Sequence, residues 1–124
     1  MVLAPLSAHT LAKISQGLCD DTLTCVVRAW DFGHGARPGK PLLLAPAMNS
    51  AMLDHPITNS QLGAVKGFWN HDRKSYVRNG VVVIPSQSKT LACGEVGNGA
   101  LAPVGQIVAA VENSLILHTS IRPN

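Results

Sequence analysis

Apolar residues along this chain gather in short runs that end in proline, and between the runs the spacing changes to that of amphipathic helices. The runs are MVLAP at the start, LLLAP at 42–46 and VVVIP at 81–85. LLLAP is continuous rather than alternating, which suits a central parallel strand covered on both faces better than a half-exposed antiparallel one. After the first run, Leu11, Ile14 and Leu18 fall at helical spacing in TLAKISQGL, and Ser7 or Thr10 has the oxygen to cap the start. DDTLTCVVRAW resumes a helical pattern, with Asp20 and Asp21 near its positive end. A further helix is predicted within TNSQLGAVKGFW. PVGQIVAAVENSLIL is predicted to close the chain as a helix, with Pro103 in its first turn and Ile107, Val111 and Leu115 four residues apart. FGHGARPGK and NHDRKSYVRNG read as turn-rich connections. SQSKTLACGEVGNGALA, rich in glycine, reads as a long ordered loop.

Strands alternating with helices predict a single α/β domain around a parallel sheet, with ligands at the carboxyl ends of the strands. The 124 residues leave little room for a second core. Because the first apolar run starts at residue 2 and no GxGxxG is present, the expectation is an N-terminally truncated sheet. On this view residues 1–124 form one partial domain that lacks the first strands and a phosphate loop.

Composition narrows the functions. Apolar residues make up 46% and charged residues 14%, so the chain lacks a disorder signature. The net charge of +3 comes from scattered lysines and arginines, and aromatic residues are only 4%, which argues against a nucleic-acid surface. No apolar run reaches the about 18 residues of a membrane span. The N-terminus lacks the basic segment and long apolar core of a secretory signal. Cys19, Cys25 and Cys93 do not form a disulfide framework and read as reduced thiols of a cytoplasmic protein. The five histidines have no HExxH or CxxC companions, so no metal site is expected.

Asn49, just past a strand end in PAMNSAM, is the leading candidate for binding. Its amide is able to donate to a carboxylate and accept from an N–H at once, or it serves as a turn residue tolerating left-handed geometry. Ala47, Met48 and Met52 flank it, and the two thioethers suit either core packing or a pocket wall beside a flat ring. Cys93, in ACGEVGNG, is either an inert loop thiol or an acid or nucleophile. Ser7, His9 and Thr10 share a predicted helix start, where hydroxyls and N–H groups are able to hold a phosphate.

PAMNSAM followed by the ACG glycine loop, together with LAPLSAHTLAKISQGLCDDTLTCVVRAWD, resembles the flavin-dependent cysteine decarboxylases, and in particular those of coenzyme A biosynthesis. The resemblance implies a flavodoxin-like, three-layer parallel sheet that binds FMN and assembles as a trimer, with itself or with a full-length family subunit. The implied reaction is decarboxylation of 4'-phospho-N-pantothenoylcysteine to 4'-phosphopantetheine. By the same resemblance Asn49 holds the substrate carboxylate and amide, Met52 lines the substrate region with Ala47 and Met48, and Cys93 is the proton donor. Ser7, His9 and Thr10 fall at the flavin-binding edge. His9 stands where the family has asparagine, and Leu53 stands where it has tryptophan. The match covers the family's C-terminal two-thirds, and the family's catalytic histidine segment has no counterpart, so the chain alone is expected to be inactive. A peptidyl-cysteine decarboxylase, or a non-catalytic partner subunit of the phosphatase-regulator type, are the alternatives.

Overall fold

The computed structural model describes residues 1–34, 37–68 and 80–120. A three-stranded sheet lies at its centre, formed by β1 (Val2–Leu6), β4 (Leu42–Pro46) and β5 (Val81–Val83) in the order β1-β4-β5, all parallel. α1 (Ala8–Gln16) and α2 (Thr22–Arg28) follow β1, and α3 (Ser50–Asp54) and α4 (Pro56–Lys66) follow β4. α5 (Val104–Ser120) closes the described chain. Two small antiparallel pairs complete it: β2 (Gly33–His34) with β3 (Arg37–Pro38), and β6 (Gln87–Thr90) with β7 (Val96–Ala100).

Strand alternation divides the core into two clusters. Leu3, Leu42 and Leu44 pack with Leu11 and Ile14 of α1, Val27 of α2 and Val65 of α4. Leu43, Ala45 and Ile84 pack on the other side with Ala102 and with Ile107, Ala110 and Val111 around α5. The result is helices, sheet and helix in three layers, the α/β arrangement expected. Every residue of β4 is buried, which is why its sequence is apolar without alternation.

Local chemistry fixes the helix ends. Ser7 caps α1 by accepting from the Thr10 N–H at 3.1 Å, and Gly17 ends the helix at φ 77°. Asp21 forms a capping box with Thr24 at the start of α2. Lys13 reaches Asp20 at 2.9 Å and Asp21 at 3.5 Å, tying α1 to the approach of α2. The hydrogen bond from Lys13 holds the Asp20 carboxyl below the usual aspartate range, and the Thr24 backbone N–H does the same for Asp21.

The expectation of an N-terminally truncated sheet is corrected. The strand and helix that open the chain are formed and belong to the core: Leu3 and Leu6 are 5% and 1% exposed, and the Met1 ammonium donates to the Pro41 carbonyl at 3.0 Å. Packing against β4 and α1 is what forms a strand here. Pro5 lies within β1 rather than closing it, which a strand at a sheet edge tolerates. Three further differences concern local elements. FGHGARPGK contains the β2–β3 pair, SQSKTLACGEVGNGALA folds into the β6–β7 hairpin, and α3 has no counterpart in the expected elements. Of NHDRKSYVRNG, all but Gly80 lies outside the described residues. Pro103 stands just before α5, where its carbonyl accepts from the Gln106 and Ile107 N–H groups at 2.9 and 3.2 Å.

Candidate functional site

β1 and β4 are parallel neighbours, so the segments that leave their carboxyl ends emerge side by side. The Ala47 N–H donates to the Leu6 carbonyl at 3.0 Å and joins the two exits. One exit leads through Ser7 into α1 and the other through Met48 and Asn49 into α3. Between them lies a cleft of about 470 Å³ whose lining includes Ala8, Ala12, Asn49, Met52, His55 and Gln61. This is where a parallel α/β sheet places its ligands. A smaller cavity of about 320 Å³, lined among others by Leu18, Arg28, Phe32 and Phe68, lies at the other end of α1.

Asn49 is exposed and is the N-cap of α3, with φ −65° and ψ 160°. That is extended backbone, so left-handed geometry is not why asparagine stands here. Its Oδ1 accepts from the Met52 N–H at 2.9 Å. The cap therefore occupies one lone pair and orients the amide, leaving the Nδ2 donors for a ligand. Met52 is half exposed on the same cleft, whereas Met48 and Ala47 are anchored through their backbone.

Ser7 spends its hydroxyl locally, accepting from the Thr10 N–H and donating to the Thr10 Oγ1 at 3.2 Å. The first-turn N–H groups of a helix have no intrahelical acceptor, and Ala8, in that turn, lines the cleft. His9 is exposed and does not belong to the lining.

Cys93 is brought elsewhere. It sits in the turn of the β6–β7 hairpin, closed by the Leu91 N–H to the Glu95 carbonyl at 2.7 Å and the Gly94 N–H to the Leu91 carbonyl at 2.9 Å. It is exposed and is not part of the cleft lining, so within one chain it does not meet Asn49. The base of the same hairpin does reach the site. The Met48 N–H donates to the Gly99 carbonyl at 2.9 Å, and the backbones approach so closely that a Cβ on Gly99 would stand 1.8 Å from the Met48 carbonyl oxygen.

Several lining residues escaped the sequence reading. His55 caps α4, its Nδ1 accepting from the Ile57 N–H at 3.2 Å, so the imidazole presents Nε2 outward. Thr58, 4% exposed, donates its hydroxyl to the Met52 carbonyl. The His55-Pro56 pair, a cap followed by proline at the first helical position, was the available signal. Ala8, Ala12 and Ala51 carry no chemical signal, yet their size leaves the cleft open.

Known proteins resemble both the sequence and this arrangement. The phosphopantothenoylcysteine decarboxylase of Mus musculus is 47% identical over 122 residues, covering 98% of this chain and 52% of the relative. A solved PPC decarboxylase mutant complexed with pantothenoylaminoethenethiol superposes with a TM-score of 0.71 at 41% identity, covering 90% of this chain and 52% of that one. The FMN binding protein AtHal3 gives a TM-score of 0.66 at 37% identity over 99% of this chain and 55% of its own. The chain thus spans about half the length of the curated relatives it matches, not the two-thirds expected. Residues 1–116, and with them both the cleft and the Cys93 hairpin, match the Flavoprotein family, and the chain belongs to it.

Proposed function

We propose that this chain supplies the Asn49 cleft of an FMN-dependent decarboxylase that acts on phosphopantothenoylcysteine in coenzyme A biosynthesis. The observation that carries the reading is the capped Asn49 amide, held beside Met52 in a cleft at the carboxyl ends of β1 and β4. The phosphopantothenoylcysteine decarboxylases and the FMN binding protein among its relatives support it.

The residues present suit a flavin. A cleft bordered by Ala8 and Ala12, with Met52 beside them, has apolar walls and enough volume for a flat ring, and the start of α1 offers backbone donors. Ser7 and Thr10 would act there by fixing the first turn of α1, whereas the exposed His9 lies outside the lining. FMN, when bound, supplies a reversible two-electron acceptor.

The Asn49 Nδ2 group donates to the substrate carboxylate and orients the cysteinyl end, while Met52 excludes water from one side of it. Oxidation of the thiol-bearing carbon makes a thioaldehyde, which accepts the electron pair of the breaking carbon–carboxylate bond as carbon dioxide leaves. The Cys93 thiol would then supply the proton when the enethiolate left by decarboxylation is reduced to the product thiol by the two electrons that the oxidation had passed to the flavin. Since Cys93 does not meet Asn49 in its own chain, the complete site forms between subunits of a trimer, composed of this chain or of this chain with a full-length family subunit. Three free, exposed thiols suit a reducing compartment such as the cytoplasm, and no helix among the described residues is long and apolar enough to cross a membrane.

The test is to incubate the purified chain with FMN, remove free cofactor, record the visible spectrum and add phosphopantothenoylcysteine. Retained flavin is expected from the chain alone and carbon dioxide release once a full-length family subunit is added, and a chain that retains no flavin overturns the reading. Flavin retention without carbon dioxide release favours a non-catalytic partner subunit, a second reading suggested by the separation of Cys93 from the cleft.

A further inference from the structure

α3 is five residues long and buries none of them, so neither its own hydrogen bonds nor a hydrophobic face holds it in place. Yet it carries the amide on which the proposed function rests. Besides the Thr58 hydroxyl, which donates to the Met52 carbonyl, what holds it is one residue of β7. The Asn98 backbone N–H donates to the Ser50 Oγ at 3.2 Å, and the Asn98 Nδ2 donates to the Asp54 Oδ1 at 2.9 Å. Ser50 is the first residue of α3 and Asp54 the last, so a single asparagine clips both ends of the helix. Asn98 is itself fixed, because its carbonyl accepts from the Ser86 hydroxyl at 2.9 Å. Its Oδ1 is buried with no hydrogen-bond partner among the described residues. The side chain is thus oriented through donation to Asp54 alone, at the expense of an unpaired acceptor.

We propose that Asn98 is a positioning residue that sets the orientation of the Asn49 amide through α3, and so couples the hairpin bearing Cys93 to the substrate-facing cleft. The geometry explains why an amide is required at position 98. Aspartate would set a carboxylate against Asp54, and alanine would leave Asp54 without its donor. It also explains why the contact is made by β7, whose close approach at Gly99 brings the hairpin backbone onto Met48. The role in substrate binding rests on the function proposed above, whereas the mechanical link does not.

The test uses the flavin-incubated protein and two readouts: amide hydrogen exchange at Met52, whose N–H is held by Asn49, and affinity for N-pantothenoylcysteine. Asn98→Asp is expected to speed exchange at Met52 by about tenfold or more, the range opened by losing a hydrogen bond to a charged group, and to weaken probe binding by a similar factor. The double variant Asn98→Asp with Asp54→Asn reverses the donor and acceptor of the pair and is expected to return both readouts to within about threefold of the parent. That rescue separates positioning from a general loss of stability. Exchange at Met52 that does not respond to Asn98→Asp overturns the link. So does acceleration spread evenly over β4 without rescue by the double variant. A parent protein that fails to bind the probe counts against the proposed function instead, since exchange reads the link without substrate.

Discussion

Substituting Gly99 by alanine tests the docking of the β6–β7 hairpin more sharply than removing any side chain. The new Cβ would stand 1.8 Å from the Met48 carbonyl oxygen, 2.9 Å from the Met48 carbonyl carbon and 3.4 Å from that of Asn49. All three neighbours are backbone, so no rotamer change relieves the clash. The φ of Gly99 lies outside the left-handed region, so alanine suffers no intrinsic backbone strain and the whole effect is steric. Separating the chains to contact distance requires a shift of more than an ångström, enough to break the 2.9 Å bond from the Met48 N–H to the Gly99 carbonyl. Overpacking of about 1–3 kcal/mol and one lost hydrogen bond of about 1 kcal/mol together predict a destabilisation of about 2–4 kcal/mol. Against a typical domain stability of about 5–15 kcal/mol that is a large fraction. With a urea slope of about 1–3 kcal/mol/M, the midpoint falls by about 1 M or more, read by far-UV circular dichroism. Gly63→Ala in α4 and Gly105→Ala in α5 are internal controls. A Cβ there meets nothing within 4 Å, and each is expected to stabilise by up to about 1 kcal/mol. A Gly99→Ala midpoint equal to the parent's, with the controls behaving as stated, refutes the close approach.

Leu44→Ala, at a site with no exposure in the central strand, is expected to lose about 2–5 kcal/mol in the same assay, and a loss under 1 kcal/mol would contradict the packing described. Cys93→Ser is expected to change stability by no more than about 0.5 kcal/mol while abolishing carbon dioxide release, and full activity would remove Cys93 as the proton donor. The ion-pair cluster predicts two edges in the pH profile of stability. Asp20 and Asp21 have depressed folded values, so their contribution is present above the unfolded aspartate value of about 3.9 and lost as pH falls through the folded ones. Lys13 is raised, chiefly by its hydrogen bond to Asp20, so its contribution is present below the unfolded lysine value of about 10.4 and lost as pH rises through the folded one. Lys13→Met should flatten the alkaline edge, salt should weaken both, and an unaltered alkaline edge would remove the pair as its cause.

How far the sequence discloses this structure depends on whether a residue's reason lies nearby or across the fold. Leu42 to Ala45 are apolar because both faces of their strand are covered, and that reason is written in the run itself. Ser7 and Asp21 act on N–H groups three residues ahead and were legible as cap and first-turn residues. Gly97 and Gly99 mislead because glycine reads as loop. At position 99 glycine is required by the backbone of Met48, fifty-one positions earlier in the chain. α3 was invisible because five residues carry no period and the helix depends on Asn98 and Thr58. Asn49 stands out in the sequence as a candidate, but its role as a cap appears only once a helix is known to follow it.

The full burial of β4 has a consequence for how variation is accommodated. The strand is a party wall between two rooms that share no furniture. Leu42 and Leu44 face one, Leu43 and Ala45 the other. A change of volume at Leu44 is answerable from Leu11 or Val65, and one at Leu43 from Ile84 or the face of α5, but neither by residues across the strand. Adjacent positions of β4 should therefore behave as strangers in paired substitutions, while residues far apart in sequence within one cluster behave as neighbours.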